Sequence, residues 1–249
     1  MAHAVLYVCH GSRLREAREE AINFINDCKP HIDAEIQEVS FLELAAPSIE
    51  EGFDKCVNAG AEQISVVPLL LLTATHSKID IPKALKACSS KHPSILVNYG
   101  NPIGVLEKMA DSVINRINQC TEIDPDAIAV LIGRGSSDPD VKRDLGKIAE
   151  IVQNKTDLKS VWTCFLTAST PSFKDTLQKA KRTGRKVVFI PYLLFTGLLM
   201  KGIEKDIYDE NNCLKLCGYL GKEPLVAEAF IGRIKETMKA GGSYAATHD

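Results

Sequence analysis

The chain lacks an excess of either charge. Its 249 residues carry 30 Lys and Arg against 32 Asp and Glu, a formal net charge of −2. A basic field of the kind nucleic acid attracts is therefore absent, and no nucleic-acid partner is expected. It also lacks a long apolar run. The longest, residues 64–74, is broken by Ser65, Pro68 and Thr73, well short of the ~20 residues that cross a bilayer. No signal-peptide pattern opens the chain, so a cytoplasmic protein without a membrane partner is expected. The eight cysteines are scattered, and the closest two, Cys213 and Cys217, have three residues between them. Without a C-x-x-C, a zinc ribbon and a thioredoxin-like site are excluded. Buried small hydrophobes are the ordinary use of such thiols in a reducing compartment. A P-loop lysine and a dinucleotide fingerprint are missing as well.

What the chain does have is a repeat. His10-Gly11-Ser12, Phe41-Leu42-Glu43, Pro47-Ser48 and Val67-Pro68-Leu69-Leu70 return as Arg134-Gly135-Ser136, Phe165-Leu166-Thr167, Pro171-Ser172 and Ile190-Pro191-Tyr192-Leu193. The offset is 124 from His10 to Arg134 and from Glu43 to Thr167, and 123 from His76 to Leu199. Each half has the size of an ordinary domain. Strand-like runs stand at 4–9, 34–41, 63–70 and 95–99, then at 127–132, 160–165, 186–193 and 214–218. Cores such as Val-Leu-Tyr-Val, Ile-Ser-Val-Val and Val-Val-Phe-Ile are continuous rather than alternating, as in parallel strands covered on both faces. Helical patterns at 14–28, 48–59, 105–119, 139–153, 172–182, 197–209 and 223–238 lie between them. Pro47 and Pro171 suit helix starts, and Gly60 and Gly184 helix ends. The expected fold is α/β, with two similar doubly wound parallel-sheet lobes related by internal duplication and a cleft between them. The repeat places the N-terminal lobe at 1–122, the C-terminal lobe at 123–240 and a mobile tail at 241–249, with a polar linker around 120–126.

Pairing the halves strips out what is merely structural. His10, Glu43 and His76 remain, replaced by Arg134, Thr167 and Leu199. Each alone has a bland explanation: a strand-end hydrogen bond, a solvated carboxylate, a helix cap. Together they follow three consecutive strands, where ligands gather in open parallel sheets. Two imidazoles and a carboxylate suit a borderline divalent metal, and three protein ligands leave coordination positions open. His3, His31, His92 and His248 have no partner at ligand spacing and read as solvated. The turn Gly133-Arg134-Gly135-Ser136-Ser137 offers backbone donors before a helix and a guanidinium fork, which suits a carboxylate. Ser12, Arg13, Lys78, Lys142, Arg143 and Lys201 are further candidates around the same crevice.

The segments from Tyr7 to Arg13, Phe41 to Glu43 and Val67 to His76, with Leu131 to Asp140 and Pro191 to Gly197 in the second half, resemble the class II chelatases of the CbiX/SirB type in their long form. The resemblance covers nearly the whole chain and extends to Gly241-Gly242-Ser243-Tyr244. It implies two chelatase-like lobes in a monomer and ATP-independent insertion of Fe2+ into sirohydrochlorin to give sirohaem. It also implies that His10 and His76 bind metal and catalyse, with Glu43 as their acidic partner. Ser12, Arg13, Arg134, Gly135, Ser136 and Ser137 are the expected substrate contacts. Co2+ or Ni2+ would suit the same ligands, and a carrier that binds without turnover is the rival reading. Some long relatives carry a C-terminal cysteine motif for an iron–sulfur cluster. This chain has no such motif, so no cluster and no permanently bound cofactor are expected.

Overall fold

In the computed structural model, which describes residues 2–207 and 213–240, the first half builds a four-stranded parallel sheet in the order β2-β1-β3-β4. The strands are β1 (His3–Cys9), β2 (Ile36–Phe41), β3 (Gln63–Leu69) and β4 (Leu96–Tyr99). β1 and β3 are buried along all but their first residue because both faces are covered. Leu6, Val8, Ile64 and Val66 pack against Phe53 of α2 (Ile49–Asn58) and against Ile81 and Leu85 of α3 (Ile81–Lys91). On the opposite face Tyr7 is fully buried, with its ring 6.2 Å from that of Phe230. Phe24 of α1 (Arg15–Cys28) meets the same Phe230 at 5.8 Å. Ser48 caps α2, its hydroxyl accepting from the Glu51 N–H while the Glu51 carboxylate accepts from the Ser48 N–H. This reciprocal capping sets the helix start, and Pro47 stands just outside it.

The second half repeats the scheme. β5 (Ile128–Gly133), β6 (Ser160–Phe165), β7 (Val187–Pro191) and β8 (Leu214–Leu216) form a parallel sheet in the order β6-β5-β7-β8. Val130, Ile132 and Phe189 pack on Leu177 of α6 (Phe173–Arg182) and Ile203 of α7 (Leu198–Asp206). Ser172 caps α6 through the Asp175 N–H, as Ser48 caps α2. The Ala46–Pro47 and Thr170–Pro171 peptides are both cis. α3 is a helix that the sequence patterns above do not mark. The tail at 241–249, including Gly241-Gly242-Ser243-Tyr244, lies outside the described residues, as do the end of the 197–209 pattern and His248. Among the described residues no helix is long and apolar enough to cross a membrane.

The compact units do not follow the repeat. Residues up to Gly104 group with those from Glu228 onward, and Val105–Ala227 form the other unit. The sequence boundary at 122 would leave α4 (Glu107–Cys120) with the first sheet. Instead α4 belongs to the second unit, where Lys155 of α5 (Pro139–Lys155) pairs with its Asp111 at 2.7 Å. Most of α8 (Pro224–Lys239) belongs to the first unit. There Arg233 donates to the Ile103 carbonyl at 3.0 and 2.9 Å, and Asn98 donates to the carbonyl of Thr237 at 3.2 Å. The duplication is inherited as a linear repeat, but burial decides where each closing helix packs.

Candidate metal centre

The order β2-β1-β3-β4 reverses direction at β1 and β3, so their carboxyl ends flank a switch point where such sheets bind ligands. The ladder between β1 and β2 runs on past both strands: the Leu42 N–H donates to the Cys9 carbonyl at 2.8 Å and the Glu43 N–H to the His10 carbonyl at 3.1 Å. His10 and Glu43 are thereby held side by side. The close approach requires Gly11, at φ +95°, because a Cβ there would lie 1.8 Å from the Glu43 carbonyl oxygen. His10 Nδ1 stands 3.6 Å from Glu43 Oε1 and 3.3 Å from the Gly11 carbonyl. The His76 ring meets that of His10 edge-on, with centroids 4.8 Å apart. One ligand atom from each of His10, Glu43 and His76 lies within 4.8 Å of the others. Among the described residues this is the one such group of metal-capable side chains. The two imidazoles are partly buried and the carboxylate is exposed.

His76 is carried differently from the other two. It opens a wide π-type turn, His76–Asp80, in which the Ile81 N–H reaches back five residues to the His76 carbonyl. Asp80, which the sequence reading does not single out, places Oδ2 2.8 Å from His76 Nδ1. The signal for it was the i,i+4 spacing of His and Asp behind a strand end. Two exposed aliphatic side chains stand beside the ligands in sequence, Leu44 at 49% and Ile79 at 58%. The counterpart of Leu44 in the second half is Ala168.

The matching turn of the second unit keeps the backbone and changes the chemistry. The Thr167 N–H donates to the Arg134 carbonyl at 2.9 Å, and Gly135 at φ +91° faces the Thr167 carbonyl as Gly11 faces that of Glu43. Arg134 and Ser137 are exposed. The Ser136 N–H donates to Ser169 Oγ at 3.0 Å and the Asp138 N–H to Ser136 Oγ at 3.1 Å. Those two backbone donors are spent inside the turn. In the first unit Arg13 is exposed, and Ser12 Oγ accepts from the Leu14 N–H at 3.1 Å. Lys78, Lys142 and Lys201 are exposed, while Arg143 pairs with Asp140 and Asp144 on its own helix.

The remaining thiols and imidazoles stay out of the centre. Six of the eight cysteines are buried, as expected; Cys120 is half-buried and Cys213 exposed. Cys9, next to His10, is 3% exposed, and burial pushes its thiol up to about 12. Two histidines expected to be solvated are instead bonded. His3 Nε2 lies 2.9 Å from Ser65 Oγ, with burial lowering its pKa, and His92 Nε2 lies 2.8 Å from Asp54 Oδ1.

A twice-built parallel α/β scaffold with an open His/Glu/His centre in one copy defines an α/β protein of two chelatase-like lobes. The chain belongs to the CbiX family, whose model matches residues 4–120 and 129–237. It is 46% identical to the sirohydrochlorin ferrochelatase of Priestia megaterium, over 96% of this chain and 92% of that one. It is 36% identical to the sirohydrochlorin cobaltochelatase of the same organism, over 95% and 80%. Among solved structures it is similar to SirB from Bacillus subtilis with Fe3+, at TM-score 0.88 and 44% identity over 96% of both chains. It is also similar to SirB from Bacillus subtilis subspecies spizizenii in complex with cobalt, at TM-score 0.85 and 44% identity over 96% of both.

Proposed function

We propose that the chain inserts Fe2+ into sirohydrochlorin to give sirohaem, with His10, Glu43 and His76 gathering the ion. The observation that carries this reading is the convergence of three ligand atoms within 4.8 Å at the switch point of the first sheet, the one such group among the described residues. Insertion exchanges two pyrrolic N–H bonds for metal–nitrogen bonds and releases two protons, with no change of oxidation state. A protein serving it must hold the ion loosely and accept protons. Neutral imidazoles do both, and a carboxylate offsets part of the cost of stripping water from a dication. Thiolates would hold the ion too tightly. The macrocycle is an apolar plane rimmed by carboxylates. Exposed Leu44 and Ile79 suit the plane, and Arg134, with Ser12, Arg13, Gly135, Ser136 and Ser137, suits the rim.

In this reading the N-terminal lobe (1–122 in the repeat) performs the metal chemistry and the C-terminal lobe (123–240) serves the substrate, in a cytoplasmic monomer with no resident cofactor. Insertion of Co2+ or Ni2+ is the second reading, favoured by a donor set of two nitrogens and one oxygen that accepts all three ions. Anaerobic metallation of sirohydrochlorin with Fe2+, Co2+ and Ni2+ side by side, followed by absorbance, ranks the metals. Insertion above the protein-free rate discards a mere carrier. His10→Ala and His76→Ala should abolish most of it, and Glu43→Gln should impair it. Arg134→Ala should raise the KM for the tetrapyrrole while leaving Co2+ affinity in its absence unchanged. Wild-type rates in all folded variants of the three ligands would move the metal site elsewhere.

A further inference from the structure

The two halves part company just after His76. From Pro68 and Pro191 to that point their offset is 123, pairing His76 with Leu199 and buried Ser77 with buried Met200. By Ile81 and Ile203, and again at Leu85 and Ile207, all buried, the offset is 122. One extra residue has been accommodated between Ser77 and Ile81, and it lies within the π-type turn His76–Asp80. A π-type turn is an α-helix with one residue too many, and such turns gather at functional sites. The corresponding segment of the second unit is ordinary α-helix.

A widened turn costs backbone pairing, and the structure shows how that is met. The Ile81 N–H goes to the His76 carbonyl, so it does not serve Ser77. The next residue, Pro82, has no N–H to offer. The Tyr99 hydroxyl fills the gap, donating to the Ser77 carbonyl at 2.8 Å from the end of β4. Ser77 Oγ accepts from the Ala74 N–H at 3.1 Å and donates to the Ala74 carbonyl at 2.8 Å, which closes the entry to the turn. What this turn holds in place is Asp80, with Oδ2 2.8 Å from His76 Nδ1.

We infer that Asp80 is a positioning residue for the metal centre: it keeps the proton of His76 on Nδ1 and aims Nε2 at the ion. An ionised carboxylate only accepts hydrogen bonds, so the nitrogen facing it carries the proton. The other nitrogen then keeps its lone pair for a cation, and the hydrogen bond fixes the ring's orientation. Carboxylates behind metal-binding imidazoles act in this way, and removing them costs about 10–100-fold in metal affinity or activity. The role extends the chelatase reading of the His10/Glu43/His76 centre and rests on it.

The test separates the two. In metal-free protein, long-range ¹H–¹⁵N spectra of the histidine side chains should show His76 as the Nδ1–H tautomer. Asp80→Ala should move it toward Nε2–H. Co2+ titration without tetrapyrrole should show affinity about 10–100-fold weaker in Asp80→Ala, and the KM for metal should rise while the KM for sirohydrochlorin holds. Asp80→Asn, whose amide oxygen can still accept from Nδ1–H, should restore most of the affinity. Tyr99→Phe loosens the turn without touching either side chain and should fall between wild type and Asp80→Ala. An unchanged tautomer with Co2+ affinity within about twofold of wild type in Asp80→Ala overturns the assignment. Should Asp80→Ala not fold, wild-type tautomer and affinity in Tyr99→Phe, or a loss in Asp80→Asn as deep as that of His76→Ala, does the same. A wild-type protein that binds Co2+ and shows the tautomer but inserts no metal would instead sink the chelatase reading and leave the role of Asp80 standing.

Discussion

At the scale of single residues, the two halves supply controls for each other. Gly11 and Gly135 occupy the same turn, at φ +95° and +91°, and a Cβ on either would lie 1.8 Å from a backbone carbonyl oxygen. Gly11→Ala and Gly135→Ala should each destabilise the fold by at least ~1–3 kcal/mol, the cost of one strained backbone conformation. Only Gly11→Ala should also weaken Co2+ binding, because only its turn sets a carboxylate beside an imidazole. Urea unfolding and a Co2+ titration on both variants check this, and equal metal affinities would contradict it. The His10-Gly-Ser and Arg134-Gly-Ser turns were legible because short motifs survive duplication. Protonation gives a second expectation. His10 and His76 bind metal only when neutral, so protons and metal compete for the same nitrogens. The acid limb of the rate should move to lower pH as Co2+ is raised, and a limb indifferent to metal would rule out imidazole ligation. Since Cys9 is buried, iodoacetamide should leave insertion largely intact.

At the scale of elements, what read well was what obeys local rules. The central strands were visible by their continuous apolar cores, and the starts of α2 and α6 as Pro-Ser followed by an amphipathic segment. Ser48→Ala and Ser172→Ala should each cost ~0.5–2 kcal/mol, the usual loss of an N-cap. Thermal unfolding of the two variants should give similar shifts, since both hydroxyls accept from the N–H three residues on; a null effect at either position would show that the cap there is replaceable. α3 and the turn before it were harder to see. A π-type turn breaks the helical period, and its one buried anchor before Ile81 is the polar Ser77. The drop in offset from 123 to 122 was present in the sequence. It carried no meaning until burial identified which residues correspond. The Tyr99 bond to Ser77 joins positions 22 apart and has no local signature.

At the scale of the whole chain, the sequence repeat and the packing unit are different objects. The repeat is legible because it preserves order along the chain. Which sheet a closing helix covers depends on complementarity between distant faces, and composition alone is silent on it. α8 ends the second repeat, yet from Glu228 onward it belongs with the sheet that carries the metal centre. Phe230 is fully buried between Tyr7 and Phe24 there. A fragment of residues 1–122, cut where the repeat divides, would expose that face and should show no cooperative unfolding transition. In the full chain, Phe230→Ala should cost ~3–5 kcal/mol, as for a buried aromatic truncated in a core. The loss should fall on the unit holding His10, Glu43 and His76, although residue 230 lies in the other repeat. Native-state hydrogen exchange locates it: amides of β1 and β3 should lose protection, while those of β5 and β7 keep theirs. The same variant should bind Co2+ more weakly at temperatures where the first sheet begins to open. Loss of protection confined to β5 and β7 would mean that the closing helix serves the repeat it came from, and the division of the chain at Gly104 and Glu228 would fall.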